Sequence, residues 1–190
     1  PVSDAFLRAV RSNTRKYFWT GTIVTKGGMT YEFRAKEIVK GSGYISRQCC
    51  GSTEIELGTV YAAEMGITLL SDIDRYTLED AQVTLVFHLV LADGSVEDVP
   101  MGVFEVSEAN RLAKCLELKA YDFMLRFDKS FNGFETVGTA YDFIALCCKR
   151  CKVEFANKRA EIDAMPNGGV TLSVYIENDI ETCRDVLFYV

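Results

Sequence analysis

Apolar and polar residues alternate with a period of two over much of this chain, and this pattern constrains the fold most. In "QVTLVFHLVL", apolar residues occupy every second position from Val83 to Leu91, which is typical of a half-buried β-strand. The turn-forming "ADG" precedes "SVEDVPMGVFEVSE", and a further turn is predicted at Ala109 and Asn110, before "KCLELKAYD". These three neighbouring strands are predicted to form an antiparallel meander.

The same pattern extends over most of the first 127 residues. "FWTGTIVT" and "MTYEFRAKEIV" flank a Gly27–Gly28 turn and predict a hairpin, and "STEIELGTVYAAEMGITLL" contains two more strand-like runs hinged at Gly58. One short helix, "SDAFLRAVRSN", leads the chain. We therefore predict an α+β fold whose first domain, residues 1–131, is an antiparallel β-barrel-like domain with a short N-terminal helix.

After Phe131 the pattern becomes mostly helical. A helix is followed by the polar loop "NKRAEIDAMPNGG", the strand "VTLSVYI" and a second helix from about Asn178, which predicts a smaller mixed α/β domain over residues 132–190. The chain ends at Val190, on an apolar helix position with neither a glycine cap nor a basic last turn. We expect the chain to be a C-terminally truncated piece of a longer protein.

The motif "CCKRC" holds three of the seven cysteines. It ends a predicted helix whose apolar stripe is Val137, Tyr141, Ile144, Cys148 and Cys151. A zinc site would need a second pair of Cys or His ligands, and Cys183 stands alone in the sequence. A reactive dithiol would place its first Cys at a helix N-terminus, where the dipole lowers a thiol pKa. The sequence therefore predicts reduced packing residues without a metal.

No catalytic, cofactor or metal site is predicted. His88 is the only histidine and lies in a strand-like run with no nucleophile motif beside it. The acidic "SDIDRYTLED" is interpreted as a solvated loop, with calcium binding as the alternative, although the glycine and terminal glutamate of an EF-hand loop are absent. The "GSG" of Gly41–Gly43 has no following lysine or clear helix, so it does not predict a phosphate loop.

Charge argues against several classes of partner. Twenty-seven acidic and twenty-one basic residues give a net charge of −6, and no run of Lys or Arg exceeds a pair. Such a chain has no basic surface for a phosphate backbone or an anionic lipid. No apolar stretch approaches the ~18 residues of a membrane span. We expect no sequence-specific nucleic acid, no membrane span and no small-molecule substrate.

Three motifs resemble a known family. "PMGVFEV" (Pro100 to Val106), "LKAYDFM" (Leu118 to Met124) and "VGTAYDFIALCC" occur in the order found in the N-terminal half of tail hub proteins of long-tailed phages and prophages. The resemblance implies a non-enzymatic structural protein of a phage or prophage tail tip or baseplate. Such a protein is made in the bacterial host cytoplasm and forms a ring-like hub, a homotrimer, that connects the tail tube to the tip. Its implied partners are distal-tail, tape-measure and tip proteins.

Two other functions stay open. The chain is also compatible with the N-terminal scaffold of a tail-associated cell-wall-degrading enzyme whose catalytic region lies beyond residue 190. A small-molecule-binding barrel would instead require a deep pocket with convergent polar groups. On the second face of "QVTLVFHLVL", Val86 and Val90 accompany Gln82, Thr84 and His88. Either a neighbouring subunit or a second layer of the same chain is expected to cover it.

Overall fold

The computed structural model describes residues 2–48, 60–133, 136–175 and 180–190. The strand-like run around Gly58, and Cys49 and Cys50, lie outside the described residues. The helices are α1 Asp4–Val10, α2 Ala140–Cys151, α3 Arg159–Asp163 and α4 Cys183–Tyr189. The strands are β1 Lys16–Val24, β2 Thr30–Arg34, β3 Tyr44–Ser46, β4 Glu64–Leu70, β5 Gln82–Val90, β6 Val96–Leu112, β7 Cys115–Tyr121, β8 Val137–Gly138 and β9 Leu172–Ser173. Short 3-10 helices occupy Ala35–Glu37, Arg75–Leu78 and Phe123–Asp128.

The chain divides into two compact units. The first unit comprises Pro1–Ser46 and Ala63–Asp122, and the second comprises Arg47–Ala62 and Phe123–Val190. The division at residue 131 stays a prediction. No helix in the described part of the chain is both long and apolar enough to cross a membrane.

The first unit is built on one antiparallel sheet of seven strands, in the order β2-β1-β5-β6-β7-β4-β3. β5, β6 and β7 are consecutive neighbours, as the meander prediction requires, and β1 pairs with β2 in the predicted hairpin. Gly28 adopts a φ of 84° in the turn between β1 and β2, a conformation that favours glycine. The α+β fold class, with its dominant antiparallel sheet and short N-terminal helix, is confirmed.

The barrel-like part of the prediction needs a correction, because the sheet is not closed. Among the described residues, β2 and β3 are its two edges and form no ladder with each other. After β2, the chain turns through a 3-10 helix and meets β4 at an isolated bridge between Ile38 and Leu69. The backbone N–H of Val39 also donates to the carbonyl of Thr68. The 3-10 turn ends β2 before a ladder between the two edges can form.

One face of this sheet carries a single apolar core. Every strand of the sheet contributes to it: its buried members are Ile23, Phe33, Ala63, Met65, Ile67, Leu69, Leu78, Ala81, Val83, Leu85, Phe104, Val106, Leu116, Leu118 and Ala120, with Ile45 of β3 packed against them. Since both edge strands supply residues to one core, the open sheet curves around it. α1 packs at the end of the same face, where the rings of Phe6 and Phe87 lie 6.3 Å apart in a T-shaped arrangement.

The predicted turn at Ala109 and Asn110 is wrong. β6 continues to Leu112, and the chain reverses at Ala113, which has a φ of 53°. A register shift between Val106 and Glu108 marks a β-bulge in this strand. The bulge inserts one residue and so breaks the period of two, which makes the continuing strand look like a turn in the sequence.

In the second unit, α2 confirms the predicted helix, but its buried face extends beyond the predicted stripe. Phe143 and Cys147 are completely buried, and Cys148 and Cys151 are nearly so. Val137 lies in β8 and is 65% exposed, so it does not belong to the helix stripe. β8 pairs with β9. The predicted polar loop contains α3, and the final helix begins at Cys183 and not near Asn178.

Asp142 fixes the N-terminus of α2. One of its carboxylate oxygens accepts hydrogen bonds from the backbone N–H of Thr139 at 2.9 Å and from the Thr139 hydroxyl at 3.0 Å. Its other carboxylate oxygen accepts from the guanidinium of Arg159 in α3. The Arg159 guanidinium, followed by the Thr139 N–H, holds the pKa of Asp142 well below its usual range. This carboxylate therefore joins α3 to the first turn of α2.

We expect the stability of the second unit to depend on the charge of Asp142. A carboxyl group with a depressed pKa in the folded state stabilises above its unfolded pKa of about 3.9 and loses that contribution as the pH falls through the folded value. Asp142→Asn should therefore lower the urea midpoint at pH 7. The difference between the wild-type and variant midpoints should begin to shrink below about pH 4 and should vanish only when the Asp142 carboxylate is protonated in the folded state. Glu154→Gln, which neutralises an exposed carboxylate, is the matched control and should leave the midpoint at pH 7 unchanged.

Candidate functional site

A hydroxyl, an imidazole and a carboxylate are joined on the outer face of the first unit's sheet. The hydroxyl of Thr20 lies 2.7 Å from Nε2 of His88, and Nδ1 of His88 lies 2.6 Å from Oδ1 of Asp98. The ring of Phe18 stacks on the imidazole with centroids 4.5 Å apart and an interplanar angle of 10°. Only 13% of the His88 side chain is exposed. Four side chains from three strands therefore form one connected group.

Strand register positions these residues. Phe18 of β1 and Asp98 of β6 both lie directly opposite His88 of β5, one on each side. Thr20 lies opposite Val86, which makes it a diagonal neighbour of His88 within reach of a side-chain hydrogen bond. Thr20 could not be identified from the sequence pattern, because it lies 68 positions before His88. A correct pairing of β1 with β5 would have revealed it.

The order of these groups is that of a Ser-His-Asp relay, but the described residues of β1 beside Thr20 offer no free backbone N–H groups for an acyl-transfer site. Such a site needs free backbone N–H groups that stabilise an oxyanion. β1 is paired on both sides, with Thr20 opposite Arg34 of β2 and opposite Val86 of β5. Its amide groups are therefore committed to the sheet. The group connects the outer surfaces of three strands.

These residues belong to a larger surface that is poor in charge, which we call the uncharged face. It consists of Phe18, Thr20, Thr22 and Val24 of β1, Thr84, Val86, His88 and Val90 of β5, and Val96, Asp98, Pro100 and Val103 of β6. Asp98 is the only acidic residue of the twelve, and none of them is Lys or Arg. Phe18, Val24, Val96 and Val103 are between 37% and 47% exposed. The exposed apolar side chains therefore lie at the two ends of this face, and the Thr20–His88–Asp98 group lies between them.

The outer surface around β3, β4 and β7 is different because ion pairs and phenols cover it. The hydroxyl of Tyr44 donates to Glu64 at 2.5 Å, and the Nζ of Lys119 lies 3.4 Å from the same carboxylate. The hydrogen bond from Tyr44 lowers the pKa of Glu64, and a hydrogen bond with Tyr121 raises the pKa of Lys119. This part of the sheet has the charged composition of a solvated surface.

The core of the second unit contains a cluster of four cysteines. Cys147, Cys148 and Cys151 of α2 are buried in one apolar cluster with Cys183 of α4. Cys147 and Cys151 lie one helical turn apart on α2. Burial, followed by the nearby Cys183, raises the pKa of Cys147, and burial raises the pKa of Cys151 to about 11.

Cys183, which stands alone in the sequence, therefore belongs to a cluster of cysteines in the folded chain. The interpretation of Cys148 and Cys151 as packing residues agrees with their burial, but Cys147, outside the predicted stripe, is the most deeply buried thiol of α2. In the described residues, no three His, Cys, Asp or Glu side chains form a group that could hold a metal ion. The sequence signal for the cluster was weak, because 36 positions (183 − 147) separate Cys147 from Cys183.

The chain has a distant similarity to a protein of known structure. No protein-family model matches the chain, and no curated protein matches it. A chain of a solved structure titled "Virion of native gene transfer agent (GTA) particle" is similar, with 13% sequence identity and a TM-score of 0.45. The similarity covers 68% of this chain and 48% of the virion chain, so this chain spans about half the length of that protein. A similarity at this level does not identify a shared role.

Proposed function

We propose that this protein is a structural component of a phage-like particle. It forms a ring-like hub at the tail tip, connects the tail tube to the tip, and acts by assembly and not by catalysis. The ring is a homotrimer that contacts distal-tail, tape-measure and tip proteins. The order of the three family-like motifs supports this role. The main observation behind the proposal is the low number of charged residues in the uncharged face.

The uncharged face is suited to a protein contact. A solvated strand face normally presents charged side chains at many positions, whereas the interior of a protein interface is depleted of charge and enriched in aromatic residues. The uncharged face shares the depletion of charge: Phe18 lies at one end, Val86 and Pro100 near the middle, and Val103 towards the other end. Each copy of the chain carries a net charge of −6, so two copies repel each other. A contact through a face with few charged side chains brings fewer of the negative charges of the two copies close together.

The family-like motifs supply the framework of both units. In "PMGVFEV", Phe104 and Val106 are buried in the core of the first unit, and in "LKAYDFM" Leu118 and Ala120 are buried beside them. In "VGTAYDFIALCC", Phe143 is among the most deeply buried residues of the second unit. These motifs therefore determine packing, which is what a rigid connector requires.

When a rotation that closes relates the subunits, a contact between two different surfaces of neighbouring subunits forms a ring. No contact surface in such a ring is left without a partner. In the proposed trimer, the uncharged face of each subunit lies against a different surface of the next subunit. This arrangement buries the face in every copy. A two-fold dimer would instead pair the uncharged face with itself.

The mass of the full-length protein in solution tests the proposal. We expect light scattering to give three times the subunit mass, independent of concentration, and electron micrographs to show rings. Val103→Glu places a charge at the exposed end of the uncharged face and should reduce the mass to that of one subunit. Leu112→Glu is the control, because Leu112 lies on the same strand, outside this face, and is 76% exposed.

Two results would contradict the proposal in different ways. A concentration-independent monomer of the wild-type full-length protein would argue against a hub. A trimer that survives Val103→Glu would show that subunits associate through another surface. Circular dichroism of both variants should match the wild type, which ensures that a change in mass reports association and not unfolding.

A further inference from the structure

We propose that protonation of His88 strengthens assembly through the uncharged face, so that the contact between subunits responds to pH. This inference rests on the function proposed above, because it concerns the regulation of the same face. Asp98 is the only acidic residue of that face, and His88 is the only histidine of the chain. The net charge between the two apolar ends of the face therefore depends on a single imidazole.

The imidazole of His88 is held between a carboxylate and a hydroxyl. Nδ1 lies 2.6 Å from Oδ1 of Asp98, and Nε2 lies 2.7 Å from the hydroxyl of Thr20. Because an ionised carboxylate only accepts, Nδ1 carries the hydrogen in the neutral ring, and Nε2 accepts from the Thr20 hydroxyl. In the imidazolium both nitrogens donate, and the hydroxyl only has to rotate in order to accept. The same positions of the three side chains therefore satisfy both charge states.

The neighbouring strands bring few charged groups to this side of the sheet. On β6, Asp98 lies directly opposite His88, and the next acidic residue on the same side of that strand, Glu105, pairs six positions earlier on β5. On β1, Lys16 is a diagonal neighbour of His88, and Arg34 of β2 lies one strand further away. α1 packs on the core side of β5, away from the imidazole. The Asp98 carboxylate is therefore the charged group that contacts the ring.

Association changes the cost of the negative charge on Asp98. In the free subunit 60% of the Asp98 side chain is exposed, compared with 13% of the His88 side chain, so water solvates the carboxylate. When another subunit covers the face, this water is removed, and a carboxylate beside a neutral ring is costly to bury. A protonated ring converts the two groups into an ion pair without net charge. The associated state therefore favours the protonated form of His88.

Proton binding and association are linked reciprocally, because each free energy depends on the state of the other. Histidine is the side chain whose charge normally changes between about pH 5 and 8. At a pH where the free subunit already carries the proton, a further fall in pH adds nothing to association. At a higher pH each subunit must take up a proton as it associates. The association should therefore weaken as the pH rises through this range.

The titration of His88 in the two association states tests the inference. Its Cε1 resonance is followed by NMR in the wild-type full-length protein and in Val103→Glu, the variant expected to be monomeric. The resonance is assigned by its absence from the spectrum of His88→Gln. We expect the trimer to bind the proton about tenfold more tightly than the monomer, which is within the usual range for linked sites. The carboxylate added in Val103→Glu attracts protons to the monomer, so it works against the expected difference.

Two variants of the pair have different expected pH dependences. On dilution, the wild type should dissociate more readily at about pH 8 than at about pH 6. His88→Gln keeps a donor for Asp98 and an acceptor for Thr20 but cannot bind a proton, so its dissociation should be the same at both values. Asp98→Asn leaves a protonated ring buried without a partner charge, so this variant should dissociate more readily at the lower pH. Glu154→Gln removes a carboxylate from the second unit and should behave as the wild type.

Failure of this inference can be distinguished from failure of the proposed function. Equal proton affinities of His88 in the trimer and the monomer would overturn the inference and leave the hub in place; a cationic group of the neighbouring subunit would then neutralise Asp98. A wild-type pH dependence that persists in His88→Gln would overturn it as well, because another residue would be responsible. A wild-type monomer throughout the range from about pH 5.5 to 8.5 would contradict the proposed function itself. Circular dichroism at each pH ensures that dissociation is not unfolding.

Discussion

Gly21→Ala is expected to destabilise the first unit by about 3 kcal/mol, at the upper end of the range for overpacked cores. Gly21 lies in β1, directly opposite Phe33 of β2. A Cβ atom at this position would lie 2.3 Å from Cζ of Phe33 and 2.6 Å from the backbone oxygen of Thr84. The sheet holds the Thr84 oxygen in place, and Phe33 is only 4% exposed, so neither group can move without opening the core.

A glycine without close neighbours provides the control. Gly43 precedes β3, has no positive φ, and a Cβ atom there would have no neighbour within 4 Å. Gly43→Ala should therefore be neutral or slightly stabilising, because alanine reduces the freedom of the unfolded chain. Trp19, the only tryptophan, lies in β1, and its fluorescence during urea unfolding reports on the first unit. Equal midpoints for the two alanine variants would show that Phe33 does not pack over Gly21.

The strands of the first unit could be predicted because their buried faces follow a strict alternation. Val83, Leu85 and Leu89 of β5 are all buried, and their spacing is visible in the sequence. The prediction failed where the backbone departs from the period of two, at the bulge between Val106 and Glu108. Sequence alternation carries no information on such an inserted residue.

The contacts between distant residues could not be predicted in the same way. Thr20 reaches His88 through the pairing of β1 with β5, and Cys183 joins the buried cluster of Cys147 through the packing of α4 on α2. Each contact depends on how two elements pack together, whereas sequence patterns describe one element at a time. The stripe of α2 was assigned around Cys148 for a similar reason: apolar residues surround this helix, and packing in the second unit selects the face that contains Phe143 and Cys147.

Phe143→Ala is expected to destabilise the second unit by about 3–5 kcal/mol, the usual cost of truncating a fully buried phenylalanine. Phe143 is completely buried in α2 and packs in the cluster that also contains Val174, Val186 and Cys183. It also lines a pocket of about 250 Å³. Removal of the ring would enlarge this pocket, and the surrounding side chains would lose contacts that they cannot fully recover by relaxation.

Phe188→Ala is the matched control because it removes the same ring from a helix position that is 43% exposed. The ring of Phe188 mainly contacts that of Tyr189, with centroids 5.1 Å apart, so its loss should cost less than about 1 kcal/mol. Pulsed alkylation of Cys147 in urea measures both variants, since this thiol reacts only when the second unit opens. Equal labelling midpoints for the two variants would contradict the placement of Phe143 at the centre of this core, whereas a large shift for Phe143→Ala alone would support it.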